Sequence, residues 1–225
     1  MEPSTNPLVK ICCIQSREEA ELAISSGAAA IGLVSEMPSG PGPISEEMIA
    51  SIVPAISPVI ATFLLTSKRH AAGIVAQQRR TNVNTIQIVD EFPIDQYRIL
   101  RDQLPGIRLV QVVHVRDEKS IAESVRVSTH VDAVLLDSGN PFLATKELGG
   151  TGRVHNWSLS RKIREALGIP VYLAGGLNSE NVAEAIRTVE PYAVDVCSGV
   201  RSDGMLDKEK LTRFFSAVRQ AAAAG

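Results

Sequence analysis

Val131-Asp132-Ala133-Val134-Leu135-Leu136-Asp137 is an apolar run closed by a carboxylate, and Leu8-Val9-Lys10-Ile11-Cys12 is another closed by a thiol. Aliphatic runs of this length read as strands buried on both faces, as in a parallel sheet. A reactive side chain at the C-terminal end of such a strand sits where a β/α barrel carries its chemistry. On either side of these two runs the same alternation repeats. Strand-like segments fall at 8–13, 29–34, 59–65, 84–89, 108–114, 132–136, 170–174 and 193–197. Each is followed by a stretch of helical periodicity, at 17–26, 45–54, 68–80, 94–103, 117–127, 158–167, 179–188 and 207–221. No two strand signals are joined by a hairpin turn. Eight such units in 225 residues predict the α/β class and a single (β/α)8 TIM barrel, with residues 1–225 as one domain. An open doubly wound sheet is the runner-up. It needs fewer strands and usually a glycine-rich first turn, and Ile14-Gln15-Ser16-Arg17 has no glycine.

Composition fits a barrel interior, with 44% hydrophobic but only 4% aromatic residues. A net charge of -2 gives no basic surplus, so nucleic acid is not an expected partner. The longest apolar tract, Ile52 to Leu65, is broken by Pro54, Ser57, Pro58 and Thr62, too polar and short for a bilayer. Met1 to Pro7 lacks the pattern of a signal peptide, which points to a cytoplasmic protein. Three cysteines (Cys12, Cys13, Cys197) argue against a disulfide framework. The four histidines have no metal-ligand spacing, so no metal is expected.

Side chains alternate along a strand, so Lys10 and Cys12 are expected to face the barrel interior and Cys13 the helices. Cys12 then stands at the rim. It is either a buried small hydrophobe or a base whose thiol is made acidic by its surroundings. Lys10, one layer below, either contributes to that or is paired in the core. Asp137 points inward at the rim, as an acid or as a cap on the turn Ser138-Gly139-Asn140. A thiol and a carboxyl on one rim are a base and an acid for proton transfer. Gly149-Gly150-Thr151-Gly152-Arg153 lies in the longest connection, Ser138 to Asn156, and reads as a ligand-covering loop or a plain turn. Gly175-Gly176 ends the seventh strand, with Asn178 or Ser179 as the expected helix cap, and Ser198-Gly199 ends the eighth. Small residues after these two strands predict a phosphate site of backbone N–H groups. His114 either touches substrate or satisfies a loop carbonyl, and His155 beside the glycine loop is equally open. Lys68-Arg69-His70 and Arg79-Arg80 read as solvated helix faces. Strands one and eight adjoin in a closed barrel, so Cys197 is expected beside Cys12, with oxidation sensitivity as the consequence.

At these residues the chain resembles the phosphoribosylanthranilate isomerase family of tryptophan biosynthesis, from Lys10 to about Phe215. Lys10-Ile11-Cys12-Cys13-Ile14 matches its K-I-C-G-I strand, and Leu135-Leu136-Asp137-Ser138 its leucine-rich strand ending in Asp. Gly149 to Gly152 with Trp157 match its G-G-T-G loop and tryptophan. Leu173 to Leu177, Asn181 to Ile186 and Asp195 to Val200 match L-A-G-G-L, N-V-x-x-A-I and D-V-S-S-G-V. The resemblance implies a cofactor-free Amadori rearrangement of a small phosphorylated substrate by a monomer or homodimer. It implies Asp137 as general acid on the ribose ring oxygen and Cys12 as general base at C2. The phosphate would lie on the Gly175-Gly176 and Ser198-Gly199 turns.

The chain departs from the family pattern at several places. The second βα loop, Ser39-Gly40-Pro41-Gly42-Pro43, lacks the family's arginine for the anthranilate carboxylate. Arg153, Arg116 and Lys146 are candidates to replace it. Cys13 stands for a glycine and Cys197 for a serine. Gln87-Ile88-Val89-Asp90 replaces Q-L-H-G, and Asn156 replaces an Asp. Two other readings remain: an isomerase of another phosphoribosyl amine, and a non-catalytic phosphosugar-binding barrel, in which Cys12 and Asp137 are dispensable.

Overall fold

The computed structural model describes residues 6–139 and 155–223. Eight parallel strands close on themselves in chain order. They are β1 (Leu8–Ile11), β2 (Ala30–Val34), β3 (Ala61–Thr66), β4 (Thr85–Ile88), β5 (Arg108–His114), β6 (Ala133–Asp137), β7 (Val171–Leu173) and β8 (Ala193–Val196). The helices are α1 (Arg17–Ser25), α2 (Glu46–Ile52), α3 (Ala71–Thr81), α4 (Ile94–Gln103), α5 (Lys119–Ser128), α6 (Trp157–Ala166), α7 (Val182–Val189) and α8 (Lys208–Ala223). This is the TIM barrel the alternation predicts. The seam is the β1–β8 pair, with Lys10 in register with Asp195 and Ile11 with Val196.

The strands' two faces make two cores. Val9, Ile11, Ile31, Leu33, Leu64, Ile86, Leu136, Leu173 and Val194 pack outward in one cluster with helix residues such as Ala20, Ile74, Ile163 and Phe214. Ala30, Phe63, Leu65, Val110, Val112, Ala133 and Leu135 fill the barrel in a second. Period-two alternation forces this division, because adjacent side chains leave opposite faces of a strand.

Helix starts follow capping chemistry. Ser16, Ser45 and Asn156 accept from the backbone N–H of Glu19, Met48 and Leu159 in the first turns of α1, α2 and α6. α7 differs from expectation: neither Asn178 nor Ser179 is its cap, and Asn181 occupies that position without a side-chain cap bond. Asn178 Oδ1 accepts instead from the N–H groups of Glu180 and Asn181, and Asn181 Nδ2 donates to the Gly176 carbonyl. The two asparagines thus brace the turn that follows β7, and this delays the helix.

A hairpin that the alternation missed lies after the barrel. β9 (Arg201–Ser202) pairs antiparallel with β10 (Met205–Leu206). Asp203 and Gly204 both have positive φ, 50° and 80°, as a two-residue Asp-Gly hairpin turn requires. The strands are too short to show a period, so only the dipeptide signals them. β3 also starts later than expected, at Ala61, because Val59 is left 85% exposed in the turn before it.

Candidate active site at the C-terminal rim of the barrel

β1 ends at Ile11, but its ladder with β8 continues one step, the Cys12 N–H donating to the Val196 carbonyl at 2.8 Å. This holds Cys12 in the strand's alternation, facing inward with Lys10. Gly32 on β2 leaves the space. A Cβ there would stand 2.8 Å from the Cys12 Sγ and 3.0 Å from the Lys10 Nζ. The thiol and the ammonium therefore border the same small gap.

Lys10 is fully buried and donates to both carboxylate oxygens of Asp195, each at 2.9 Å. Both alternatives read for Lys10 hold together: it is paired in the core, and it lies beneath the thiol. Burial opposes its charge, but the Asp195 carboxylate and the neighbouring Cys12 outweigh burial and hold the ammonium above the ordinary lysine range. Burial lifts the Asp195 carboxyl, against the pull of Lys10.

Cys13 corrects the alternation. Its φ is +61°, a left-handed conformation uncommon outside glycine. The reversal turns its side chain into the barrel-filling cluster with Cys12, Val34 and Phe63 rather than onto the helices. The guanidinium of Arg201 donates to the Cys13 carbonyl and holds this turn. Glu19 on α1 fixes that guanidinium at 2.7 and 2.9 Å, and its carboxylate also accepts from the Leu206 N–H of the hairpin. Nothing in the sequence marked this clamp.

The partner expected for Cys197 is likewise corrected. Its Sγ lies 2.8 Å from that of Cys13, not of Cys12. Because Cys13 turns inward, it is the thiol that meets β8. A hydrogen bond from the adjacent Cys13 thiol and, against burial, the Lys10 charge hold the Cys12 thiol below its ordinary range. Cys13 itself, bonded to Cys12 and Cys197 and buried, is pushed well above.

Asp137 ends β6, 8% exposed, in register with His114 on β5. Its Oδ1 accepts from the Ser138 N–H at 2.6 Å, so the carboxylate both faces the rim and caps the following turn. His114 Nε2 lies 3.3 Å from the Val89 carbonyl, the loop-carbonyl role among its two readings. Burial holds its imidazole below the usual range, against the charge of Asp137.

After β7, Gly175 and Gly176 have φ of +84° and +65°. Two consecutive left-handed residues favour glycine, which has no Cβ to oppose that conformation. A Cβ on Gly175 would also meet His155 Nδ1 at 3.0 Å and the Ser138 N–H nitrogen at 3.1 Å. The turn after β8 interlocks with it, since a Cβ on Gly199 would stand 2.0 Å from the Leu177 carbonyl oxygen. Ser198 and Gly199 begin a short 3-10 turn, Ser198–Val200. The two expected phosphate turns are thus in contact. His155, bonded to the Ser160 hydroxyl at 2.7 Å, packs against the first of them. Gly150, Gly152, Arg153 and Lys146 lie outside the described residues. Lys68-Arg69-His70 and Arg79-Arg80 are exposed, as expected. Among the described residues no three His, Cys, Asp or Glu side chains group as metal ligands, and no helix is long and apolar enough to cross a membrane.

Residues 9–217 match the model of the N-(5'-phosphoribosyl)anthranilate isomerase family. The isomerase of that name from Methanocella arvoryzae is 34% identical over 207 residues, covering 92% of this chain and 95% of its own. Among solved structures, phosphoribosyl anthranilate isomerase from Thermotoga maritima is similar at a TM-score of 0.82 and 29% identity, over 95% of this chain and 99% of its own. A phosphoribosyl anthranilate isomerase in complex with reduced 1-(o-carboxyphenylamino)-1-deoxyribulose 5-phosphate is similar at a TM-score of 0.79 and 27% identity, over 95% and 99% of the two chains.

Proposed function

The chain belongs to the N-(5'-phosphoribosyl)anthranilate isomerase family, and on that premise we propose how its own residues carry the Amadori rearrangement of tryptophan biosynthesis. Asp137 protonates the ribose ring oxygen of N-(5'-phosphoribosyl)anthranilate, and the ring opens to an iminium. Cys12 removes the proton at C2, giving an enolamine that tautomerises to the 1-deoxyribulose-5-phosphate ketose. Ring opening needs an acid at oxygen and the next step a base at carbon, so two groups from different strands serve better than one. The observation that carries the assignment is the Lys10–Asp195 pair beneath Cys12. A buried cation next to a thiol favours the thiolate that a base requires.

The phosphate is assigned to the interlocked Gly175-Gly176 and Ser198-Gly199 turns, and Gly150 and Gly152 are assigned to the same substrate from their sequence motif alone. Arg153 is assigned to the anthranilate carboxylate, since the second loop has no cation. An unchanged KM in Arg153→Ala would remove it from that role, leaving Arg116 and Lys146. The protein acts as one barrel domain in the cytoplasm, as a monomer or homodimer, which light scattering on the eluting peak decides.

The test is fluorescence loss as phosphoribosylanthranilate, generated in the cuvette, is consumed. Cys12→Ala and Asp137→Asn are each expected to slow the reaction by about 10²–10⁴-fold. A wild-type rate in either variant would overturn the role of the residue changed in it. The absent second-loop arginine favours one other reading, an isomerase of a different phosphoribosyl amine. Turnover of another phosphoribosyl amine, with the anthranilate substrate bound but not turned over, would select it.

A further inference from the structure

We infer that Cys13 and Cys197 form an oxidisable dithiol beside the proposed base, a modification site for peroxides. Its effect on rate rests on the reading of Cys12 as base; the site itself does not. The two Sγ atoms are 2.8 Å apart, against about 2.05 Å in a formed disulfide. The two cysteines follow directly on paired strand ends, where the β1–β8 ladder runs through the Cys12 N–H to the Val196 carbonyl. Cys13 is held in place from two sides. Arg201 grips its carbonyl, and a Cβ on Gly42 would stand only 2.8 Å from its Cβ. The two residues are also two of the positions at which the chain leaves the family pattern, and the fold brings both to one contact.

Cys197 is the partly exposed member, whereas Cys12 and Cys13 are buried, so reaction begins there. The Cys197 sulfur attacks one peroxide oxygen. The O–O bond breaks, leaving a sulfenic acid and hydroxide. The Cys13 sulfur then displaces the sulfenic oxygen as the S–S bond forms, and the protons released convert hydroxide and the departing oxygen to water. The two sulfurs give up two electrons and one peroxide becomes two waters.

The consequence falls on Cys12. A Cys13 sulfur held in a disulfide has no proton to offer, so the neighbouring Cys12 thiolate loses that stabilisation. The base then ionises at higher pH.

The full-length protein is treated with hydrogen peroxide, alkylated with N-ethylmaleimide and digested with trypsin without reduction. The expected product joins peptide 11–17 to peptide 188–201, with fragment ions placing the alkyl group on Cys12 and the link on Cys13. The same link is expected in Cys12→Ala. Isomerase rate at neutral pH is expected to fall on the order of tenfold, for one unit of thiol pKa, and to return with dithiothreitol. Cys197→Ser is expected to keep its own untreated rate after peroxide. No link, or a link through Cys12, overturns the site. A link that leaves the rate unchanged overturns its influence on the base. Should the protein show no isomerase turnover in any state, the peptide map still decides the dithiol, so the two failures are told apart.

Discussion

Lys10 has two neighbours that pull its charge to opposite uses, and this gives the proposed base a signature in pH. Removing the ammonium with Lys10→Met takes away a stabiliser of the Cys12 thiolate, so the acidic limb of kcat/KM moves to higher pH. Removing the carboxylate charge with Asp195→Asn takes away a repulsive neighbour of that thiolate, so the limb moves to lower pH. Parallel shifts in the two variants would mean that the pair acts on Cys12 only through packing. Lys10→Met also leaves Asp195 buried without its partner, at a cost of about 3–5 kcal/mol, and is best measured at low temperature. Cys12, Lys10 and Asp137 were legible in the sequence because strand alternation is a geometric rule and all three obey it. Cys13 was not, since a left-handed φ reverses the rule and no residue type announces it. The small residue that makes room for the thiol, Gly32, was equally silent, being identified only by what stands across the barrel wall from it.

At the level of elements, the Glu19–Arg201 pair ties α1 to the turn after β1 and to the β9–β10 hairpin. Both side chains are only 7% exposed. Glu19→Gln leaves a buried guanidinium without a charge partner and is expected to cost about 3–5 kcal/mol in chemical denaturation. Loss below about 1 kcal/mol would place the pair with ordinary surface bridges. Burial works against the Glu19 carboxylate, but Arg201 and the N–H groups of Leu206 and Gln15 outweigh it, and its pKa lies below the ordinary value of 4.5. A depressed folded-state pKa contributes stability that is complete above the unfolded value. This contribution is lost as pH falls through the folded one. The elements themselves were readable from period and caps, whereas what joins them was not. Asn178 looked like a cap because its side chain does accept backbone N–H groups, yet it spends them on the turn rather than on α7.

For the molecule as a whole, closure of the sheet leaves no barrel strand with an open edge. Eight repeats of one unit made this legible, because no other common architecture uses eight alternations in this length. Acid is expected to loosen it in a defined window. Burial, against the pull of Asp137, lowers His155 to about 4 from 6.5. The folded protein therefore resists protonating it, while the unfolded chain does not. Stability is complete above 6.5 and declines as pH falls from 6.5 toward 4. Urea midpoints across that window should be flatter in His155→Gln than in wild type, and identical slopes would exclude His155 as a source.

The β1–β8 seam sets a schedule for the chain during its own synthesis. Lys10 and Asp195 are 185 residues apart in sequence, and at about 5–20 residues per second the carboxylate leaves the ribosome roughly 10–40 s after the lysine. Through that interval the nascent polypeptide carries an ammonium with no counterion and a thiol with no scaffold around it. The proposed reactive centre is therefore completed late, with the last strand, and an incomplete translation product that holds both Cys12 and Asp137 is expected to be inactive.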